Sequence, residues 1–298
     1  MSLPVTERLH PAAKGLDTLP AAEVLEHLLA GQAAAVQVVA SALPQIQAGA
    51  ALMAQALRGE GRLVYAGAGS SALMAVADGM ELQGTFGVDP SRVLLLMAGG
   101  LPVDARMPGD TEDDAGEGAR AARVLRAGDV VIAVTASGRT PFALAVAQAA
   151  RRVGARVIGI ANAPSAPLFD HADIAICLPT PPEVLAGSTR MGAGTAQKVA
   201  LNMMSTLMGL MLGQVHDGMM VGVIADNDKL RGRAAGMVAT IAQVDAGVAA
   251  AALHDAAGAV KPAVLIALGE DADKARALLQ DTAGHLRAAM ARVRKAGA

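Results

Sequence analysis

The feature that most restricts this 298-residue chain is a repeated unit: a short apolar run, a loop of glycine and hydroxyl residues, then apolar positions at helical spacing. Arg62-Leu-Val-Tyr-Ala66 stops at Gly67-Ala-Gly69-Ser70-Ser71, and a helical stretch follows to about Met80. Val93 to Met97 stops at Ala-Gly-Gly, and Thr111-Glu-Asp-Asp114 reads as the cap and acidic first turn of a helix through Leu125. Asp129 to Thr135 passes through Ala136-Ser-Gly-Arg-Thr140 into a helix from Pro141, a residue suited to the first helical position. Arg156 to Ala161 and Ile174 to Leu178 are two further strand-length runs. Unbroken apolar runs suit strands buried on both faces, and helices between them allow parallel pairing. The expected class is α/β, with a doubly wound, mostly parallel sheet flanked by helices.

The ends of the chain read differently. Pro20 to Leu57 predicts two or three packed helices, interrupted at Pro44. After Gly187-Ser188-Thr189 a long helix is expected to about Leu212. The stretch Val199 to His216 lacks formal charge, but it carries Asn202, Ser205, Thr206 and Gln214, so it reads as a buried core helix. Beyond Asp226 the pattern is helical and Ala-rich, with Ala263 to Leu268 open to strand or buried helix. The expected organisation is a helical lead-in (1–58), a central α/β domain (59–225) and a helical C-terminal region (226–298).

With 53% hydrophobic and 17% charged residues, the chain has enough apolar surface for a packed core and is not a disordered segment. Lys and Arg number 25 against 27 Asp and Glu, and Tyr65, Phe86, Phe142 and Phe169 are its only aromatics. That balance supplies neither a basic field nor a stacking platform for nucleic acid, and no anionic-membrane attraction is expected. Cys177 is the single cysteine, which excludes an intrachain disulfide and a thiolate zinc cluster within the chain. The opening MSLPVTERLHP meets Glu7 and Arg8 before any apolar run, so no signal peptide and a cytoplasmic setting are expected.

Gly67-Ala-Gly69-Ser70-Ser71-Ala72 satisfies a dinucleotide-binding spacing, yet Val93 to Met97 ends without the acidic residue that holds a ribose. More informative are hydroxyl-bearing loops at three strand-to-helix junctions: Gly69-Ser70-Ser71, Thr135 to Thr140, and Gly187-Ser188-Thr189-Arg190. In an open parallel sheet such junctions gather where ligands bind, and amides at helix N-termini hold anions. A phosphate pocket is expected, against the competing possibility that each hydroxyl merely caps its helix. Phosphate-loop, zinc-protease and serine-hydrolase spacings are missing, and Asp226-Asn227-Asp228 lacks the Gly and terminal Glu of a calcium loop. No metal site is expected.

Glu183-Val-Leu-Ala-Gly-Ser-Thr-Arg-Met-Gly-Ala-Gly-Thr-Ala-Gln-Lys198 resembles the signature of N-acetylmuramic acid 6-phosphate etherases, a family of the sugar isomerase (SIS) superfamily. Thr6-Glu7 with Pro11-Ala-Ala and Leu16-Asp17-Thr18, the loop ending at Pro141, Leu201-Asn-Met-Met-Ser-Thr206 and Asn227-Asp-Lys-Leu230 resemble it in the same order. The resemblance implies a SIS-type fold, a homodimer, and conversion of a lactyl-ether phosphosugar to N-acetylglucosamine 6-phosphate and D-lactate without a cofactor. It carries the family's acid to Glu81 and its second glutamate to Glu112. One carboxyl must be protonated and the other ionised before elimination. Expected substrate contacts are Gly67, Gly69, Ser70, Ser71, Ser137, Gly138, Arg139, Thr140, Glu183, Ser188, Thr189 and Lys229. The chain departs from the family pattern at Ala72-Leu73, at Leu82-Gln83-Gly84 and at His10. These departures leave two alternatives open, a non-catalytic sugar-phosphate-binding regulator and an isomerase of another phosphosugar.

Overall fold

The computed structural model describes residues 7–107, 109–223 and 228–296, with the side chains of 228, 229 and 296 outside that description. The chain divides into two compact units, one of Met1–Met80 with Pro90–Ser205 and one of Glu81–Asp89 with Thr206–Ala298. These units cut the chain differently from the three segments expected from sequence, because two helices each pass from one unit into the other.

The first unit opens with α1 (Ala21–Gln37) and α2 (Leu43–Arg58), joined through a 3-10 turn at Val38–Ala42, with Pro44 in the first turn of α2. The sheet follows: β1 (Leu63–Gly67), β2 (Val93–Met97), β3 (Val130–Thr135), β4 (Arg156–Ala161) and β5 (Ile174–Cys177). Its order is β2-β1-β3-β4-β5 with every pairing parallel, in the registers Leu63↔Val93, Leu63↔Val130, Val130↔Arg156 and Ile158↔Ile174. The crossovers are α3 (Gly69–Phe86), α4 (Ala115–Ala121) and α5 (Pro141–Arg152), and α6 (Gly192–Met211) comes after β5.

Both β1 and β3 are buried along their whole length, as helices on both faces require. Val64, Ala66, Val131, Ala133 and Val157 meet Phe142, Val146 and Ala150 of α5 on one face. On the other, Gly49 of α2 approaches so closely that a Cβ there would lie 2.5 Å from Met204 Sδ and 3.5 Å from Ile158 Cδ1. The α/β class, the strand positions and the helix from Pro141 are as the sequence indicates.

Two local expectations are corrected. Helix α3 continues past Met80 and through Gly84 to Phe86, and Gly87, with a φ of +65°, ends it. The cap of α4 is Asp114, whose side chain accepts from the Glu117 amide at 2.8 Å, so Thr111–Asp113 form a separate 3-10 turn. Glu112 therefore lies ahead of the helix instead of in its first turn.

The second unit contains a hairpin of β6 (Val215–His216) and β7 (Met219–Met220), then α7 (Asp228–Ala242), α8 (Ala246–Asp255), α9 (Val260–Ala267), α10 (Ala272–Asp281) and α11 (Leu286–Ala296). Asp217 and Gly218 both have positive φ, the two-residue turn that matches strand twist. Val238, Leu253, Val264, Leu265 and Leu286 form its core. The ambiguous run at 263–268 is helix to Ala267, with Ala263, Val264 and Leu265 buried in the core of this unit.

Candidate active site

In this strand order the chain moves outward from β1 to β2 and then crosses back to β3, so the loops after β1 and β3 diverge. A crevice at that reversal, beyond the carboxyl ends of the strands, is where open α/β sheets take ligands. A cavity of about 240 Å³ lies there. It is lined by Ala68, Gly69, Ser70 and Ser71 after β1, by Thr135, Ala136, Ser137 and Thr140 after β3, and by Gly187 and Thr189 ahead of α6. Glu112 and Glu7 complete the lining.

Three loops far apart in sequence thus place their hydroxyls around one void. Those hydroxyls are not spent on capping. Thr140 occupies the N-cap of α5 without a side-chain cap bond, and its Oγ1 pairs with Thr135 Oγ1 at 2.7 Å. Ser137 Oγ accepts the Arg139 amide at 3.1 Å, which fixes the loop and leaves its own proton free. Among the described residues the Ser70 and Ser71 hydroxyls have no hydrogen-bond partner. The first turn of α3 and the start of α5 border the cavity, so their amides and dipoles favour an anion there.

The middle of α3 is held by a buried polar network at Asp78. Asp78 accepts from Tyr65 Oη at 2.8 Å through one carboxylate oxygen, and from Asn202 Nδ2 and Ser205 Oγ, each at 2.9 Å, through the other. Burial, reinforced by the Asp78 charge, pushes the Tyr65 hydroxyl well above its ordinary pKa, so it remains a donor.

Of the residues expected at the site, Gly69, Ser70, Ser71, Glu112, Ser137, Thr140 and Thr189 line the cavity. Others serve it from behind. A Cβ on Gly67 would come within 2.9 Å of the Val134 carbonyl, and one on Gly138, whose φ is +69°, within 2.1 Å of Ala166 Cβ. Gly67 thus lets β1 and β3 pair closely at the loop's start, and Gly138 lets the loop after β3 lie against the segment at Ala166. The Arg139 side chain is exposed and outside the lining, and Ser188 takes part through its carbonyl, which accepts the Met191 amide.

Glu183, 6% exposed, accepts the amides of Gly192 and Ala193 at 2.9 and 2.8 Å. Its place is the cap of α6 and not the cavity wall, because both oxygens are committed to orphan amides of that helix. Glu81 is exposed on α3 and belongs to the second unit. The Lys229 side chain lies outside the described residues. Sequence reasoning gave Glu7 no role; its only signal was its place in a short segment shared with the family.

The SIS domain family matches residues 29–162. An N-acetylmuramic acid 6-phosphate etherase of Deinococcus radiodurans is 41% identical over 285 residues, which cover 95% of this chain and 93% of the relative. Its namesake from Cutibacterium acnes is 39% identical over 292 residues, covering 97% and 96%. Among solved structures, a Bacteroides fragilis protein described as a phosphosugar isomerase of capsule formation superposes with a TM-score of 0.50 at 20% identity, over 63% of this chain and 88% of that one. At that identity the likeness concerns the fold alone.

Proposed function

Because the chain belongs to the N-acetylmuramic acid 6-phosphate etherase family, we propose that it is a carbon-oxygen lyase that removes the D-lactyl group of N-acetylmuramic acid 6-phosphate. The products are N-acetylglucosamine 6-phosphate and D-lactate. The observation that supports this best is the cavity, with hydroxyls and helix N-termini to receive a phosphate and the carboxylate of Glu112 facing the same space.

The chemistry needs two carboxyls. Opening of the sugar ring exposes an aldehyde at C1, which acidifies the proton on C2. A carboxylate removes that proton, and a carboxylic acid protonates the C3 ether oxygen as lactate departs. Water then adds across the double bond with the proton roles reversed, so the atoms balance without an oxidant or reductant. In this proposal Glu112 is the base, at the cavity, and Glu81 is the acid. Gly69, Ser70, Ser71, Ser137, Thr140 and Thr189 bind the phosphosugar, with Lys229 as a further contact. Glu183 fixes the start of α6.

A homodimer and a cytoplasmic setting complete the proposal. Helix α1 leaves Leu25 65% and Leu29 72% exposed, an apolar stripe that a second copy would cover. The run Ala21–Arg58 is also long and apolar enough, by length and composition alone, to cross a membrane.

Purified protein should release D-lactate from N-acetylmuramic acid 6-phosphate without added metal or nucleotide. Glu112→Gln should abolish both release and exchange of the C2 proton with solvent. Glu81→Gln should keep exchange while release falls by about 100-fold or more, the scale for loss of a positioned acid. No release by the wild type at high enzyme concentration rejects the etherase. Sugar-phosphate binding without turnover would instead favour the regulator.

A further inference from the structure

Glu7 and Glu112 both line the cavity, each beside a different loop. Glu112 Oε2 is 3.7 Å from the point where a Cβ on Gly69 would stand, beside the β1–α3 loop. Glu7 Oε2 is 3.5 Å from the corresponding point on Gly187, beside the loop ahead of α6. Neither carboxylate has a hydrogen-bond or ion-pair partner among the described residues. No Lys, Arg or His is among the residues lining the cavity. Two unpaired carboxylates therefore share a small void with a set of free hydroxyl donors.

A phosphate dianion cannot satisfy Glu7, since it brings acceptors and negative charge to a group that needs donors. It belongs with the hydroxyls and amides of residues 70–71 and 137–140. What suits the Glu7 side is a neutral part of the ligand that carries O–H or N–H groups, as the body of an amino sugar does. We infer that Glu7 is a specificity-determining carboxylate, which accepts hydrogen bonds from the hydroxyl-bearing part of the ligand and so selects a sugar phosphate over phosphate itself. The inference rests on the sugar-phosphate reading of the cavity and not on turnover.

Binding of two probes, N-acetylglucosamine 6-phosphate and inorganic phosphate, to the full chain tests it by calorimetry. Glu7→Ala should weaken the sugar phosphate by about tenfold or more, the scale of a hydrogen bond to a charged group. The same change should leave inorganic phosphate unaffected or tighten it, because a repelling charge has gone. Glu7→Gln should recover part of the sugar-phosphate affinity, since it keeps an acceptor oxygen in place. Unchanged sugar-phosphate affinity in Glu7→Ala overturns the assignment, and so does equal weakening of both probes, which would mean a distorted cavity. D-lactate release by the wild type is scored separately. If the selectivity follows Glu7 but no lactate forms, the etherase falls and Glu7 stands; if the wild type binds neither probe, the Glu7 assignment falls.

Discussion

At the scale of single residues, Ser137 is the cleanest probe of the cavity. Its oxygen accepts the Arg139 amide while its proton remains available, so Ser137→Ala removes one donor to the ligand and one weak loop contact. Phosphosugar binding should weaken by about 1 to 3 kcal/mol, whereas thermal unfolding should move little. Calorimetry beside a melting curve checks both halves, and a variant that melts early yet binds normally would make Ser137 a loop brace. Thr140 is less clean because its hydroxyl also pairs with Thr135. The hydroxyl loops were legible in the sequence because they recur at three strand-to-helix junctions, which capping of a single helix does not require. Glu7 and Glu183 were not, since a carboxylate looks alike in a sequence whether it faces a ligand or caps a distant helix. Only the fold sets Glu7 beside Gly187 and Glu183 beside the Gly192 amide.

At the scale of elements, β1 and β3 are stapled at their starts by one buried carboxylate. Asp129 is 0% exposed; Arg62 donates to it from Nη2 at 2.7 Å and from Nε at 3.1 Å, and the backbone amides of Arg62 and Arg126 donate at 3.0 Å each. Desolvation alone would raise its pKa, but these hydrogen bonds and the Arg62 charge outweigh burial and the net shift is downward. A carboxylate depressed in the folded state adds stability that is present above its unfolded pKa of about 3.9 and is lost as pH falls through the lower folded value. Urea unfolding should therefore show wild-type stability declining below about pH 4, a decline that Asp129→Asn should flatten. The same variant should lose on the order of 3 kcal/mol at neutral pH, since it leaves Arg62 poorly matched. Equal acid sensitivity in the two proteins would dismiss the staple. Strands were the most legible elements, their unbroken apolar runs admitting one layered arrangement. Helix ends were less so, because Asp114 and Thr111 are equally good caps on paper and the difference lies in which backbone amide each can reach.

At the scale of the whole molecule, the exposed leucines of α1 bear on assembly. Light scattering should give a dimer mass, and Leu25→Glu with Leu29→Glu should shift it toward the monomer while circular dichroism stays unchanged. A wild type that is monomeric at every concentration, or that partitions onto neutral lipid vesicles, would reject the second copy as the cover of that face. The α/β class and helical C-terminal part were legible in the sequence. The interleaving of the two units was not, because a helical pattern marks α3 and α6 as continuous and carries no sign of which core each end joins. That interleaving sets an order on biosynthesis. Glu81–Asp89 belongs with Thr206–Ala298, yet the whole of Pro90–Ser205 is translated between them. Leu82, Phe86 and Val88 are buried in the finished chain, with Phe86 packed so tightly on α6 that a Cβ on Gly209 would meet its ring at 2.4 Å. At about 5 to 20 residues per second, Phe86 waits on the order of ten seconds for Gly209 to leave the ribosome. Over that interval the nascent protein offers chaperones a short apolar helix end.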